Sequence, residues 1–230
     1  MLQTSQYWYL HDHPLFDALS SQDLKEICYI SKYKTARKGE IIFFSEENQD
    51  RVFTLKKGSI KIVKVDEEGN ELVKDILKKG DMFGQLALSH NSEDEYAVVI
   101  SESVVFCSFK SSDFEKFIQQ NPDLALKYTK WIGFWFRRLE NRFSNIMFKD
   151  VRSRLLHFFY DFAKDQEIDE NGIVVLPNYL THQDISSLIC STRQTVTSLL
   201  NTLKSEEMID YSRKEMSVNL PKIKASLKIK

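Results

Sequence analysis

In the first half of the chain, short hydrophobic runs with alternating polar positions are separated by glycines. The runs are rich in β-branched and aromatic residues, and Gly39, Gly58, Gly69, Gly80 and Gly84 lie between them. This pattern predicts strands at 40–45, 51–57, 59–66, 71–78, 96–101 and 103–109. Because no helical period interrupts them, we expect an antiparallel sandwich or roll.

Helix-start signals flank the predicted strands. Ser20 is followed three residues later by Asp23, and Ser112 is followed three residues later by Glu115. A hydroxyl at the N-cap with a carboxylate at this spacing is the pattern of a capping box. We therefore predict one helix before the strands and another short helix after them.

A long helix is predicted after the strands. Asn121 and Pro122 supply an N-cap and a first-turn proline, and no break signal follows until Phe148. Alternating steps of three and four residues connect Tyr128, Ile132, Trp135, Leu139, Arg142 and Ile146. This is the heptad spacing of a two-helix seam, for which a second copy of the chain is the simplest partner. A long helix packed within a monomer core remains the alternative.

The second half of the chain carries three further helix-start signals. Asp150 can cap a new helix, Thr181 with Asp184 forms a capping box, and Thr192 can cap the helix after it. We place the domain boundaries accordingly, with a β-roll domain and its flanking helices at 1–121, a long helix and hinge at 122–149, and at 150–230 a winged helix-turn-helix domain whose parts are described next.

Two short helices with a tight turn between them predict a helix-turn-helix. The outward stripe of its second helix consists of residues that suit base edges in a major groove, namely Arg193, Gln194, Thr197, Ser198 and Asn201. The following segment reads as a β-hairpin with Arg213 and Lys214 at its tip, where they and Thr192 can contact phosphate. The sequence therefore predicts a winged helix-turn-helix that binds double-stranded DNA. An ordinary helical hairpin with a solvated polar face is the alternative.

Composition limits the other classes of function. The 230 residues carry 32 Lys and Arg against 33 Asp and Glu, which excludes a polybasic protein that binds nucleic acid by bulk charge. Cys28, Cys107 and Cys190 are far apart and form no CxxC pair, so neither a disulfide framework nor a metal site is expected. No apolar run has the length of a membrane helix, and we expect a cytoplasmic protein without a membrane partner.

Three motifs occur in a recognisable order: GDMFGQLAL at 80–88, KDVRSRLL at 149–156 and LTHQDISSLICSTRQTVTSLL at 180–200. Together with the glycine-punctuated strands and the long helix, they resemble bacterial transcription regulators of the CRP/FNR family. The resemblance implies an α+β fold with a cyclic-nucleotide-binding-like β-roll, a long dimerisation helix and a C-terminal winged helix-turn-helix domain. It also implies an operator DNA, a second copy of the chain and RNA polymerase as partners.

The resemblance further implies an effector pocket in the β-roll. Its candidate residues are Phe83, Gly84, Gln85, Leu86, Ala87, Glu95, Tyr96, Ala97 and Tyr128. Members that bind cyclic AMP have a glutamate and an arginine where this chain has Gln85 and Glu95. A carboxylate at the second place would repel the cyclic phosphate, so we predict that cyclic AMP is not the effector. No cofactor is required by the pattern, and the effector stays unidentified.

DNA recognition also departs from the best-known members. They have a glutamate and usually an arginine where this chain has Gln194 and Ser198, and Cys190 replaces the glycine of the helix-turn-helix turn. The sequence as a whole predicts a homodimeric, sequence-specific DNA-binding regulator. A sensor that binds a small molecule or a protein without reading DNA is the alternative. An enzyme is not expected, because the chain has no phosphate loop, nucleophile elbow or HExxH.

Overall fold

The computed structural model describes residues 2–43, 45–46, 49–84, 94–212 and 214–229. The chain packs as two compact units, Met1–Arg137 and Arg138–Lys230. The described residues form eight helices and twelve strands. None of the helices in these ranges is long and apolar enough to cross a bilayer.

The first unit contains the predicted antiparallel β-roll. Its strands are β1 (Ser31–Arg37), β2 (Ile41–Phe43), β3 (Ser45–Glu46), β4 (Gln49–Lys57), β5 (Ile60–Val65), β6 (Glu71–Leu77), β7 (Met82–Gly84), β8 (Glu95–Val99) and β9 (Ser103–Lys110). One sheet has the order β1-β9-β4-β3 with β7 also paired to β4, and the other has the order β2-β8-β5-β6. The predicted run at 40–45 divides into β2 and β3, while β1 and β7 were not predicted.

Alternation along the strands divides the apolar residues of this unit into two clusters. Phe53 and Leu55 of β4 join Phe106 of β9 in the cluster between the sheets. Val52 of β4 and Phe109 of β9, on the opposite face, join the cluster beneath the flanking helices. The period of two therefore lets one sheet contribute to both clusters.

The flanking helices are α1 (Leu2–His11), α2 (Ser21–Ile30) and α3 (Ser111–Gln120). The predicted cap of α2 is confirmed, because Ser20 Oγ accepts a hydrogen bond from the Asp23 backbone amide at 3.2 Å. The predicted capping box at Ser112 is wrong, since α3 begins at Ser111 and its N-cap Lys110 makes no side-chain capping bond. The reason is that β9 continues to Lys110 and the chain passes directly from strand into helix.

Helix α4 (Pro122–Phe148) has the predicted bounds and extends over 27 residues. Asn121 precedes it, and its carbonyl accepts the Ala125 amide at 3.0 Å. The Asn121 side-chain amide donates backwards to the Phe117 carbonyl at 2.8 Å. The predicted N-cap side chain therefore helps to end α3, and the start of α4 depends on Pro122.

The second unit, beyond the end of α4, comprises α5 (Val151–Ala163), β10 (Ile173–Pro177), α6 (His182–Leu188), α7 (Arg193–Ser205), β11 (Ile209–Tyr211), β12 (Glu215–Asn219) and α8 (Leu220–Leu227). The Asp150 carboxylate caps α5 by accepting the Ser153 amide at 2.7 Å. Hydrogen bonds from the Ser153 side chain and from this amide lower the Asp150 pKa. The predicted hairpin is β11-β12, to which β10 adds an unpredicted third strand. The buried residues of the unit include Leu155, Phe159, Val174, Val196, Leu200, Leu203, Val218 and Ile223.

Candidate nucleic-acid interface

Helices α6 and α7 form the predicted helix-turn-helix. Thr181 and Asp184 make a complete capping box, with the Thr181 hydroxyl accepting the Asp184 amide and the Asp184 carboxylate accepting the Thr181 amide at 2.9 Å. Because Asp184 is only 4% exposed, its carboxylate is stabilised by these local hydrogen bonds rather than by water. The box fixes the entry of the chain into α6.

The turn between the helices contains a strained residue. Cys190 has a φ of 52°, a left-handed conformation that costs an L-residue with a β-carbon about 1 kcal/mol. Its carbonyl accepts a hydrogen bond from Arg154 Nη2 of α5 at 3.3 Å. The residue predicted to replace a turn glycine therefore adopts a conformation that glycine favours.

Helix α7 separates a buried face from an exposed polar face. Thr192 caps it by accepting the Thr195 amide at 3.1 Å, and Val196, Leu200 and Leu203 are buried on the inner side. The predicted contact residues share one open face on the outer side: Arg193, Gln194, Thr197, Ser198 and Asn201. The five side chains are thereby brought together on a single helix face.

The predicted wing is the hairpin of β11 and β12. The Ser212 hydroxyl closes its end by donating to the Glu215 carbonyl at 2.9 Å, and the Asn178 side chain donates to the Ser212 carbonyl at 2.6 Å. Lys214 is exposed beside this end, whereas Arg213 lies outside the described residues. A lysine at this position is available to a phosphate group.

His182, which was not predicted as a site residue, connects three elements of this unit. It is the first residue of α6, and its Nδ1 lies 2.8 Å from Thr197 Oγ1 of α7. Its ring lies 5.4 Å from that of Tyr211 of β11, whose hydroxyl donates to the Leu180 carbonyl at 2.6 Å. The sequence offers no signal for this contact, because it joins residues 15 positions apart on two helices.

Comparisons with known protein families agree with this geometry. Residues 33–121 match the family described as Cyclic nucleotide-binding domain, and residues 153–225 match the Crp-like helix-turn-helix domain. The two matches occur in the order expected from the motifs. This chain belongs to the CRP/FNR family of transcription regulators.

Curated relatives of this CRP/FNR regulator are themselves regulators. The global nitrogen regulator of Nostoc sp. is 28% identical over 190 residues, which cover 82% of this chain and 85% of that protein. The cAMP-activated global transcriptional regulator CRP of Salmonella typhimurium is 25% identical over 196 residues, which cover 83% and 90%. The chain is thus a DNA-binding regulator of the CRP/FNR type.

Solved structures share the fold. A mutant of CooA from Carboxydothermus hydrogenoformans has a TM-score of 0.73 at 22% identity, with 96% of this chain and 99% of that chain covered. FixK2 from Bradyrhizobium japonicum has a TM-score of 0.71 at 18% identity, with 85% and 96% covered. At identities of 22% and 18%, this similarity shows a shared fold alone.

In this CRP/FNR regulator, several predicted pocket residues belong to the core of the roll. The Phe83 ring stacks on Phe53 with 4.8 Å between centroids, and Ala97 is fully buried. Gly84 has a φ of 101°, and a β-carbon there would lie 2.2 Å from the Arg51 carbonyl oxygen. Only glycine therefore permits the approach of β7 to β4.

The other predicted pocket residues have partners in their own unit. The Glu95 carboxylate, 17% exposed, pairs with Lys74 Nζ at 2.5 Å. The Tyr96 hydroxyl donates to the Glu71 carboxylate at 2.6 Å, which raises the pKa of Tyr96 to about 12. Tyr128 of α4 packs edge-on to Phe114, and burial raises its pKa to about 12.

Three further pocket candidates lie outside the described residues, namely Gln85, Leu86 and Ala87.

The predicted seam positions on α4 do not form one exposed line. Tyr128 packs against the cluster beneath the flanking helices, and Trp135 packs against the cluster between the sheets. Arg142 and Ile146 are half-buried, whereas Ile132 and Leu139 are 47% and 63% exposed. The exposed apolar line instead consists of Ile132, Phe136, Leu139, Phe143 and Met147, which we call the α4 stripe.

Proposed function

We propose that the protein is a homodimer that reads a pseudo-palindromic operator with two copies of α7. Arg193, Gln194, Thr197 and Ser198 face bases in this proposal, with Asn201 further along the same face. The supporting observation is that these side chains share one open face of a helix whose other face is buried. Guanidinium and amide groups can form paired hydrogen bonds with guanine and adenine edges.

Phosphate contacts orient this helix in the groove. Thr192 at the start of α7 is exposed, and Lys214 is exposed beside the end of the wing hairpin. We assign phosphate contacts to both of them and to Arg213. These contacts carry affinity and salt dependence, whereas the base-facing residues carry sequence preference.

A second copy of the chain covers the α4 stripe in this proposal. The stripe follows steps of four, three, four and four residues, so its members share one side of the helix. Leaving five apolar side chains on one exposed line is unfavourable for a monomer. Dimerisation buries them against the same line of the partner and places the two copies of α7 for adjacent half-sites.

Cyclic AMP does not control the protein in this proposal. Where cyclic-AMP-binding members have an arginine for the phosphate, Glu95 presents a carboxylate that is already paired with Lys74. A cyclic phosphate would have to break this pair and then meet a like charge at close range. Calorimetry with cyclic AMP is expected to give no saturable heat, and micromolar affinity would contradict the assignment.

The partners implied by this function are an operator, a second copy of the chain and RNA polymerase, all in the cytoplasm. The test is binding of genomic fragments by the purified full chain at physiological salt without added ligand, followed by sequencing of the retained DNA. We expect a shared pseudo-palindrome with half-site centres about one helical turn apart. Diffuse binding alone would favour a sensor that does not read sequence.

A further inference from the structure

His182 contacts Thr197, one of the residues that face DNA in the proposed function. The imidazole is half-buried between α7 and β11, with its Nδ1 at 2.8 Å from Thr197 Oγ1. The same Thr197 oxygen lies 2.9 Å from the Arg193 carbonyl oxygen of its own helix. One hydroxyl therefore has two polar neighbours at hydrogen-bond distance.

The protons in this arrangement can be assigned. The Thr197 hydroxyl has one proton, and only Thr197 can donate in its bond to the Arg193 carbonyl, since a carbonyl oxygen carries no proton. The hydroxyl therefore donates to Arg193, and its oxygen must accept from His182. This arrangement requires the His182 tautomer that carries its proton on Nδ1.

These bonds remove the donor capacity of Thr197. With its proton committed to Arg193, the hydroxyl cannot donate to the O4 of thymine or to the N7 and O6 of guanine. Thr197 nevertheless shares the open face of α7 with Arg193, Gln194, Ser198 and Asn201. Its oxygen keeps one acceptor lone pair, and its methyl group takes part in neither bond. The matching feature for a methyl group in the major groove is the 5-methyl group of thymine.

We propose that His182 is a positioning residue that fixes the Thr197 rotamer, so that α7 recognises one thymine in each half-site by methyl contact. The inference rests on the proposed function and names a specificity determinant of that same surface. His182 acts here through Thr197 and not by its own contact with a base.

The test begins with DNA selected by the full chain from a random-sequence duplex library. In the enriched duplex, each thymine is replaced in turn by deoxyuridine, which lacks only the 5-methyl group. Affinity is then measured by fluorescence anisotropy. For the wild-type chain we expect one symmetry-related thymine pair at which the replacement weakens binding about fourfold per half-site, as for one buried methyl group.

Variants then separate positioning from a purely structural role. Thr197→Val keeps a methyl group in a strongly preferred helical rotamer, so it should keep the thymine preference, whereas Thr197→Ser should lose it. His182→Asn places an N–H donor near the Nδ1 position and should also keep the preference. His182→Gln, the matched control, places its amide beyond that position and should reduce the ratio between thymine and deoxyuridine affinities to near one.

The outcomes distinguish this inference from the proposed function. If selection enriches no sequence, the proposed function fails and the inference fails with it. If a sequence is enriched but no thymine replacement matters, or Thr197→Ser keeps the preference, only the inference is overturned. The inference is also overturned if His182→Gln weakens binding to the thymine and deoxyuridine duplexes equally, because that result would indicate a structural role alone.

Discussion

Truncation of one phenylalanine on the α4 stripe should weaken the dimer, while the same truncation on the opposite face should not. Phe143 and Phe134 are both 62% exposed, so they are matched in residue type and accessibility. They are nine residues apart, which is about two and a half helical turns, and they therefore face opposite sides of α4. Only Phe143 belongs to the stripe.

The size of the effect follows from this exposure. Full burial of a phenylalanine side chain contributes roughly 1.5–3 kcal/mol, and the exposed 62% of Phe143 is what a partner can still cover. This gives about 1–2 kcal/mol per copy and about 2–4 kcal/mol for a symmetric pair, or roughly a 30- to 900-fold rise in the dimer dissociation constant.

Sedimentation equilibrium of the full chain over a range of concentrations measures this constant. Phe143→Ala should shift the chain toward monomer, and Phe134→Ala should leave the wild-type constant within about threefold. Circular dichroism melts verify that both variants remain folded. Equal effects of the two substitutions, or a larger effect of Phe134→Ala, would refute the assignment of the stripe to the dimer contact.

Further predictions concern the turn, the DNA contacts and a buried histidine. Cys190→Gly should raise the free energy of unfolding by about 1 kcal/mol in urea titrations because it relieves the positive φ, whereas Cys190→Ala should not. Arg193→Ala should relax sequence preference by roughly 1–3 kcal/mol in competition binding. Lys214→Ala should mainly reduce the slope of log affinity against log salt concentration by about one. Equal losses of affinity on all DNA sequences for both variants would contradict these roles. Burial lowers the His13 pKa from 6.5 to about 4, so between these two pH values the unfolded chain binds a proton that the native chain does not. The free energy of unfolding should therefore fall by roughly 1 kcal/mol per pH unit as the pH drops from 6.5 to about 4. Urea unfolding of His13→Gln at several pH values should lack this pH dependence of the free energy of unfolding. A pH dependence equal to that of the wild-type chain would contradict the assignment to His13.

Local features of this fold were predictable because they depend on neighbouring residues. Thr181, Thr192 and Asp150 each cap a helix through a hydrogen bond to a backbone amide three positions later. A short polar side chain before an apolar period is sufficient to indicate such a cap. The same logic failed at Ser112, where the preceding strand, which the cap pattern does not consider, determines where the helix begins.

Long-range partners could not be predicted in this way. The His182–Thr197, Lys74–Glu95 and Arg154–Cys190 contacts join residues that no periodic pattern relates. Each contact depends on which elements pack together, and that information appears only in the folded chain. The charge departure at Glu95 was visible in the sequence, whereas its neutralising partner was not.

The apolar period of α4 shows an intermediate case. Heptad spacing correctly indicated a helix with an apolar side, but it did not indicate which side of α4 packs into the core of the first unit. Tyr128 and Trp135 pack within the first unit, and the remaining exposed line is displaced toward Phe136 and Phe143. The proposed dimer contact therefore rests on exposure, and it shares Ile132 and Leu139 with the set predicted from the period.

The stoichiometry and symmetry of the DNA complex test the central claim most directly. Native mass spectrometry counts the chains on a duplex enriched by selection, and anisotropy compares that duplex with one in which a single half-site is scrambled. We predict two chains per duplex and a marked loss of affinity when either half-site is scrambled. One chain per duplex, with equal affinity for the intact and scrambled DNA, would contradict a dimer that reads sequence with two copies of α7.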